Sequence, residues 1–284
     1  KYANGLADNL LLSTLLMFNK EIYIAPAMHE EMFMDDKIQL NIIDLNENVI
    51  FCGPRYGNLD IGDKGLGRLI EPIEMYDILF NKKEKVIVTS GPTSEYLDDV
   101  RTITNKSSGK QGRAIAIELM SLGYEVVYIH SKTISPVAGA KNISFDTSKE
   151  LQEAMYIESN DTQHLYMVAA VSDFIPEKVE GKMKRSEGNM TLNLSPNVDI
   201  VKEYKEKYKM INVISFSAQT NDDLNFEKII EKNSDFLVIN NINDISFGSD
   251  TNKVTIINKK DKVFESEEKN KHIIAQEIIK NTLI

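Results

Sequence analysis

The sequence has little cysteine and little histidine: one Cys, Cys52, and four His in 284 residues. A single thiol excludes an intrachain disulfide and a cysteine-rich zinc site, and a reducing cytoplasm is the simplest compartment for it. The histidines are scattered and form no zinc-protease motif. No apolar run reaches the ~18 residues of a membrane span. Positive charge is also in short supply. A net charge of −10 argues against a general nucleic-acid binder. Any polyanion would have to be met by a local basic cluster working against the global field. The chain has no internal repeat and no low-complexity tract. Its opening, "KYANGLADNLLLSTLLMF", begins with Lys1 and is too long and too weakly basic at its start for a signal peptide. The expectation is a chain that enters within a domain, with an N-terminal part missing.

What is present suffices for a folded core: 42% of the residues are apolar, and the length fits two ordinary domains or one large one. Residues 6–18 read as an amphipathic or buried helix. "EIYIAPAM" (21–28) and "VIFCGPRYG" (49–57) read as strands that break at proline, and "GNLDIGDKGLGRLIEP" (57–72) has no clear period. "EMYDILF" starts a short helix, and the charged "NKKEK" (81–85) is a candidate linker.

From Lys85 onward the pattern is regular. "KVIVTS", a helix "GKQGRAIAIELMSLG" closed by Gly123, and "YEVVYIHS" form a βαβ unit. "NISFD" is a short strand and "TSKELQEAMYI" a helix with a Thr/Ser start. "HLYMVAAVSD", "INVISFSAQ" and "DFLVINNI" are continuous apolar runs, as suits strands buried on both faces. "DDLNFEKIIEK" reads as a helix with an Asp start, "KVTIINKKDKVFES" as a late hairpin and "EKNKHIIAQEIIKNTLI" as a closing helix. The fold class is therefore α/β, with an open, mostly parallel, Rossmann-like sheet in the second region.

Ligands of such sheets gather outside the carboxyl ends of the strands. Three small-residue segments lie at strand ends here, "SGPTSE", "AAVSDF" and "SFSAQTN". Together they favour a site over mere turn chemistry. "RTITNKSSGKQG" (101–112) matches neither G-x-x-x-x-G-K-[ST] nor G-x-G-x-x-G. Gly109 and Gly112 nevertheless stand at a helix N-terminus, where free N–H groups favour an anion. Ser107 or Ser108 can equally be a plain N-cap. "EGKMKRSEG" gathers Lys182, Lys184 and Arg185, which otherwise reads as a solvated loop. Lys228 and Lys232 are i,i+4 on one helix, free to receive an anion or to pair with Glu227 and Glu231. Asp173 is a ligand contact or a cap, Asn197 a turn former or a contact, and Phe216 a core aromatic or a base platform.

These segments, taken in order, resemble the phosphopantothenate–cysteine ligase family of coenzyme A biosynthesis over residues 85–284. "TSGPTSEYLDDVRTITNKSSGKQG" resembles the family's TSGPT-x-E-x-(L/I)D-x-VR-x-ITN-x-SSGK-x-G. "AAVSDF" resembles "AAVADY", "KMKR" resembles "KIKK", "NVDI" resembles "NPDI", and "FGSDTNKV" resembles F-x-x-D-x-N-x-V. Residues 2–79 resemble the C-terminal part of the flavin-dependent phosphopantothenoylcysteine decarboxylase, through "KYANGLADNLL", "APAM" and G-x-G-R-x-x-EP. The two enzymes are fused in this order in many microbes. The implied division is residues 1–80, part of a flavodoxin-like decarboxylase, and 81–284, the ligase. The decarboxylase half departs from its family twice. His29 stands where the family has Asn, and "GNLDIG" puts Ile61 where the family has a proton-donating Cys. Cys52, nine residues earlier, is not given that role. Decarboxylation by this chain is not expected.

The resemblance implies activation of 4′-phosphopantothenate by CTP (ATP in eukaryotic relatives), an acyl-cytidylate, and displacement of CMP by L-cysteine. Mg²⁺ would bridge triphosphate oxygens; its protein ligands are unknown. FMN would serve the decarboxylase half. By matching motifs, Lys182 acts on the triphosphate with Lys184 and Arg185 in support. Asn105 holds the acyl intermediate, with Arg101 nearby. Gly91, Ser107, Ser108 and Gly109 shape phosphate sites through backbone N–H groups. Ala169 and Asp173 touch the nucleotide, Asn197, Val198, Asp199 and Ile200 hold its cytosine and ribose side, and Phe216 packs beside it. Lys228 and Lys232 join the nucleotide site. Gln219 for Glu, and Val198 for Pro, leave the base preference open. The implied partners are these small molecules, with no nucleic acid and no membrane, and a homodimer through the ligase part that grows larger in the fused protein. An inactive or regulatory nucleotide-binding relative, and a protein that works mainly as a flavin decarboxylase, stand as alternatives.

Overall fold

The computed structural model describes residues 1–45, 48–59, 62–81, 84–183, 191–220, 224, 226–241 and 248–283. The chain divides into two compact units. One comprises residues 1–83, 117–125 and 137–141, the other 84–116, 126–136 and 142–284.

The second unit is built on eight strands: β1 (Lys85–Ser90), β2 (Glu125–Ser131), β3 (Lys141–Phe145), β4 (Thr162–Met167), β5 (Asn212–Gln219), β6 (Phe236–Asn241), β7 (Thr255–Asn258) and β8 (Lys262–Glu265). Their order across the sheet is β8-β7-β6-β5-β4-β1-β2-β3. β4 pairs in parallel with β1 and β5, and β5 with β6. β6, β7 and β8 are antiparallel, which is the expected late hairpin. Register places Leu165 opposite both Ile87 and Val213. All three side chains are fully buried. Such runs are apolar throughout because both faces of the central strands are covered. Helices α2 (Ser148–Ile157), through Leu151 and Met155, and α3 (Ile200–Lys207), through Ile200 and Tyr204, both cover the face that bears Ile87, Leu165 and Val213, while Tyr166, one residue on, meets Thr282 of the closing helix at 2.9 Å.

Helix α1, which follows β1, spans Lys110–Ser121, and Gly123, at φ 82°, closes it with an N–H donated to the Met120 carbonyl. That left-handed residue is the predicted stop. Thr147 accepts from Glu150 N at 3.2 Å and starts α2 as its sequence suggests. The helix over Phe226–Glu231 and the closing helix over Lys271–Thr282 also form. The expected Asp start of the former lies outside the described residues. Helix α3 is an addition to the sequence reading, which had only a turn or contact at "NVDI". Asp199 accepts from Val201 N and Lys202 N and so caps it. Two small antiparallel pairs were equally invisible. One joins Ser94–Tyr96 to Thr102–Thr104, the other Phe174–Pro176 to Leu194–Pro196. Three-residue strands leave no apolar run to read.

In the first unit, Ile22–Ile24 and Val49–Phe51 pair in parallel. The glycine-rich stretch without a period is a hairpin of Arg55–Asn58 and Lys64–Arg68. Its signal is hidden because glycine takes the places where neighbours come too close for a side chain: a Cβ on Gly67 would lie 1.9 Å from the Met28 carbonyl oxygen. The first long helix covers Leu10–Met17, shorter than predicted and with no buried residue. The helix expected from "EMYDILF" starts earlier, at Pro72, behind a reciprocal Glu71–Glu74 capping box. His29 precedes a short helix, Glu30–Phe33, and its ring contacts Glu31. Ile61 lies outside the described residues. Among the described residues, no helix is long and apolar enough to cross a membrane.

Candidate functional site

The carboxyl ends of β1, β4 and β5 open onto a cleft of about 620 Å³. Its floor is the chain leaving β4. Thr89 Oγ1 accepts from Val168 N and Ala169 N at 3.1 Å each, so a side chain of β1 replaces the ladder where β4 ends. Ala170 N then donates to Gly91 O, and Thr93 N to Ala170 O. A reciprocal pair of hydroxyl contacts, Ser172 N to Thr93 Oγ1 and Thr93 Oγ1 to Ser172 Oγ, continues the join. Small residues serve here because two backbones run side by side with no room for large ones.

One wall is the hairpin Ser94–Tyr96/Thr102–Thr104 and the loop after it. Thr104 Oγ1 donates to Thr93 O at 2.8 Å, and Asn105 Nδ2 donates to Ala170 O at 2.9 Å. Asn105 is thereby fixed at the cleft, which it lines together with Ser107. The opposite wall is the start of α3 and the helix Phe226–Glu231. Asn197 Nδ2 donates to Ser172 O, and Asn197 N to Asp173 O, both at 2.8 Å. Asp199 caps α3 with one oxygen and pairs with Lys232 Nζ, at 3.2 Å, through the other. Lys228 Nζ donates to Ser217 Oγ of β5 at 2.8 Å. Half-buried Phe216 lies between the walls. Asp173, Val198 and Ile200 complete the lining among the predicted residues.

A smaller cleft of about 190 Å³ shares Ser107, Ala169 and Phe216 and adds Ser108 and Gly109. Its outer edge is held by two lysine side chains. Lys110 Nζ donates to Asp250 Oδ1 at 2.6 Å and Gly248 O at 2.8 Å, and Lys271 Nζ reaches Ser249 O. The Lys110 hydrogen bond and charge hold the Asp250 carboxyl below its usual range. Burial, then the Lys110 charge, push the Lys271 ammonium down against a smaller opposing effect of Asp250. Sequence reasoning missed Lys271, Asn252 and Thr251 in this cleft. The quoted "FGSDTNKV" held the signal for the last two.

Three predicted residues lie away from both linings. Gly91 has φ 87°, and a Cβ on it would come within 2.7 Å of Ile134 Cγ1. Its glycine is thus required by backbone shape and packing. Arg101 donates to Met183 O at 3.3 Å and lies 3.6 Å from Asp98, on the outer end of the hairpin. Lys182 is exposed, on the arm between the strands Phe174–Pro176 and Leu194–Pro196. Lys184 and Arg185 lie outside the described residues. The structure thus collects most of the predicted set at one cleft and puts Arg101 and Lys182 together beyond its rim.

A polar cleft across the carboxyl ends of an open, mostly parallel sheet defines an α/β protein of the doubly wound class, whose ligands gather at that edge. Residues 81–283 match the DNA/pantothenate metabolism flavoprotein C-terminal domain, and residues 1–84 match the Flavoprotein family. The chain belongs to this family, that of the coenzyme A biosynthesis bifunctional proteins, which join the two parts. The coenzyme A biosynthesis bifunctional protein CoaBC of Bacillus subtilis (strain 168) is 36% identical over 277 residues, covering 91% of this chain and 68% of its own length. A cysteine/cysteine sulfinic acid decarboxylase from an unknown prokaryotic organism is 35% identical over 305 residues, covering 100% of this chain and 85% of itself. Among solved structures, the C-terminal domain of CoaBC superposes with a TM-score of 0.59 at 29% identity, over 69% of this chain and 92% of that domain.

Proposed function

We propose that the second unit joins 4′-phosphopantothenate to L-cysteine at the expense of CTP, through an acyl-cytidylate. The observation that carries the reading is the larger cleft, which sets Asn105 on one wall against Lys228 and Lys232 on the other. In the first step a carboxylate oxygen of phosphopantothenate attacks the α-phosphorus of CTP, and pyrophosphate leaves. In the second the cysteine amine attacks the acyl carbon, loses a proton and expels CMP. Three anionic groups must be brought together for the first step, so catalysis is chiefly positioning and charge stabilisation.

Lys228 and Lys232 supply positive charge on the nucleotide wall. Lys232 is preset by Asp199, whose other oxygen is occupied by the α3 cap. Phe216 offers an apolar face for the base. Lys182 neutralises the triphosphate, with Lys184 and Arg185 beside it in the chain. Asn105, with one amide hydrogen committed to Ala170 O, keeps its carbonyl oxygen and second hydrogen for the acyl intermediate. Among the described residues no three His, Cys, Asp or Glu side chains cluster to hold a metal. Mg²⁺ arriving with the nucleotide would lower the repulsion between the anions.

The whole-length likeness to a decarboxylase supports a second reading, in which the first unit contributes to flavin chemistry. The Flavoprotein match over residues 1–84 speaks for FMN in that part, and the hairpin glycines there stand where neighbouring atoms exclude a side chain. The Cβ position of Gly65 is filled by Glu30 and that of Gly67 by Met28 O. A reducing cytoplasm suits the single buried thiol of Cys52, whose pKa is raised by burial. The expected homodimer is checked by sedimentation.

The test is pyrophosphate release with 4′-phosphopantothenate, CTP against ATP, with and without cysteine. Release with CTP is expected, and none with either nucleotide overturns the reading. Asn105→Asp should release pyrophosphate and accumulate acyl-cytidylate, detectable by mass spectrometry; normal turnover in that variant contradicts its assigned role.

A further inference from the structure

Asp98 is fully buried at the tip of the hairpin Ser94–Tyr96/Thr102–Thr104. One carboxylate oxygen accepts from Val100 N at 2.7 Å and Arg101 N at 2.6 Å. The other accepts from Met183 N at 2.9 Å, a donor 85 residues away in sequence. The neighbouring Asp99 repeats the arrangement on the surface. It takes Lys178 Nζ at 2.9 Å and Gly181 N at 3.0 Å, and its own N–H donates to Gly181 O. Val179 N donates to Leu97 O, and Arg101 to Met183 O. Residues 178–183 are thus clasped onto residues 97–101, and Lys182 sits between the two clasped positions Gly181 and Met183.

The local turn needs only one acceptor, which Asn or Ser could also offer. The second oxygen takes the arm's Met183 N–H at 2.9 Å and faces the Arg101 guanidinium at 3.6 Å. Burying a carboxylate is costly unless donors saturate it. Burial does push Asp98 upward, but the Met183, Val100 and Arg101 N–H groups and the Arg101 charge outweigh it and leave the carboxyl below its usual range. The same hairpin runs through Thr104 to Asn105, which is fixed on Ala170 O.

We propose that Asp98 is a positioning residue for Lys182: its carboxylate fastens the arm bearing this lysine to the hairpin bearing Asn105, so that one rigid piece presents both groups to the nucleotide. The inference rests on the ligase reading and deepens it. The arm links two three-residue strands, so without the clasp its backbone would spread over many conformations, and Lys182 would be placed by chance. Arg101 shares in the clasp, which explains its position outside both clefts.

Asp98→Asn isolates the device. Its amide oxygen keeps the local turn, while its NH₂ meets the Met183 N–H as donor against donor. In the full chain, hydrogen exchange of residues 178–183 should accelerate about tenfold or more, the worth of one hydrogen bond to a charged group. CTP affinity should weaken by a similar factor. Lys182→Gln should weaken it too, and the double variant should lose no more than Lys182→Gln alone. The milder Asp99→Ala, at a partly exposed site, should move both readouts in the same direction by a smaller factor and guards against a folding failure of Asp98→Asn. Unchanged exchange in the arm, or losses that multiply in the double variant, overturns the inference. A wild-type chain that neither binds CTP nor releases pyrophosphate overturns the ligase reading instead, and the exchange measurement still decides the clasp.

Discussion

The sheet and the arm of the second unit are held by opposite physics. In the sheet, Ile87, Leu165 and Val213 stack across three neighbouring strands with no exposed surface. Their stabilisation comes from apolar area removed from water, which is non-directional and tolerant of detail. In the arm, a few directed bonds to Asp98 and Asp99 hold a segment that buries little. Such bonds contribute modest net free energy, but they place a chain to within fractions of an ångström. The difference teaches that stability and chemistry are assigned to different parts of one unit. A change can remove either one and leave the other.

Lys182→Gln gives the largest expected effect and the cleanest break. Pyrophosphate release should fall below detection while the urea midpoint stays within error of wild type; a lowered midpoint would mean that the arm also bears on stability. Leu165→Ala should do the reverse, at about 2–5 kcal/mol of stability lost with a cavity left behind, measured by urea unfolding, with the folded fraction retaining its turnover. A pH titration sharpens the contrast most finely. Burial, aided by the nearby Arg113 charge, pushes His272 from 6.5 down to about 4. Its neutral form is favoured in the folded state, so its contribution is complete above about pH 6.5 and is lost as pH falls toward about 4. Thermal melts should fall across that window, and His272→Gln should flatten the fall without moving nucleotide affinity.

Much of this was legible in advance, for a physical reason. β1, β4, β5 and β6 show as continuous apolar runs because burial on both faces leaves polar residues no place. Gly123 shows as a helix stop because only glycine takes φ 82° there without cost. Asn197 to Ile200 were drawn into the site by motif, yet the helix they start was hidden, since Asn and Asp serve turns and caps alike. The small hairpins were hidden too, because their partners are chosen by backbone hydrogen bonds and not by side-chain period. Lys228 and Lys232 show as neighbours on one helix face. That their fixed partners are Ser217 and Asp199 depends on elements far off in the chain.

The sequence by itself determined the long buried strands and their main helices, the acidic balance of −10, and the order of the motifs that mark the family. Periodicity reports how each segment meets its own surroundings, and it is silent on which segment supplies them. Only the tertiary structure decided the meetings. The sheet order brings Asn105 to Ala170 across 65 residues and Asp98 to Met183 across 85. Those contacts exist because buried polar groups must find donors and acceptors wherever the packed strands deliver them.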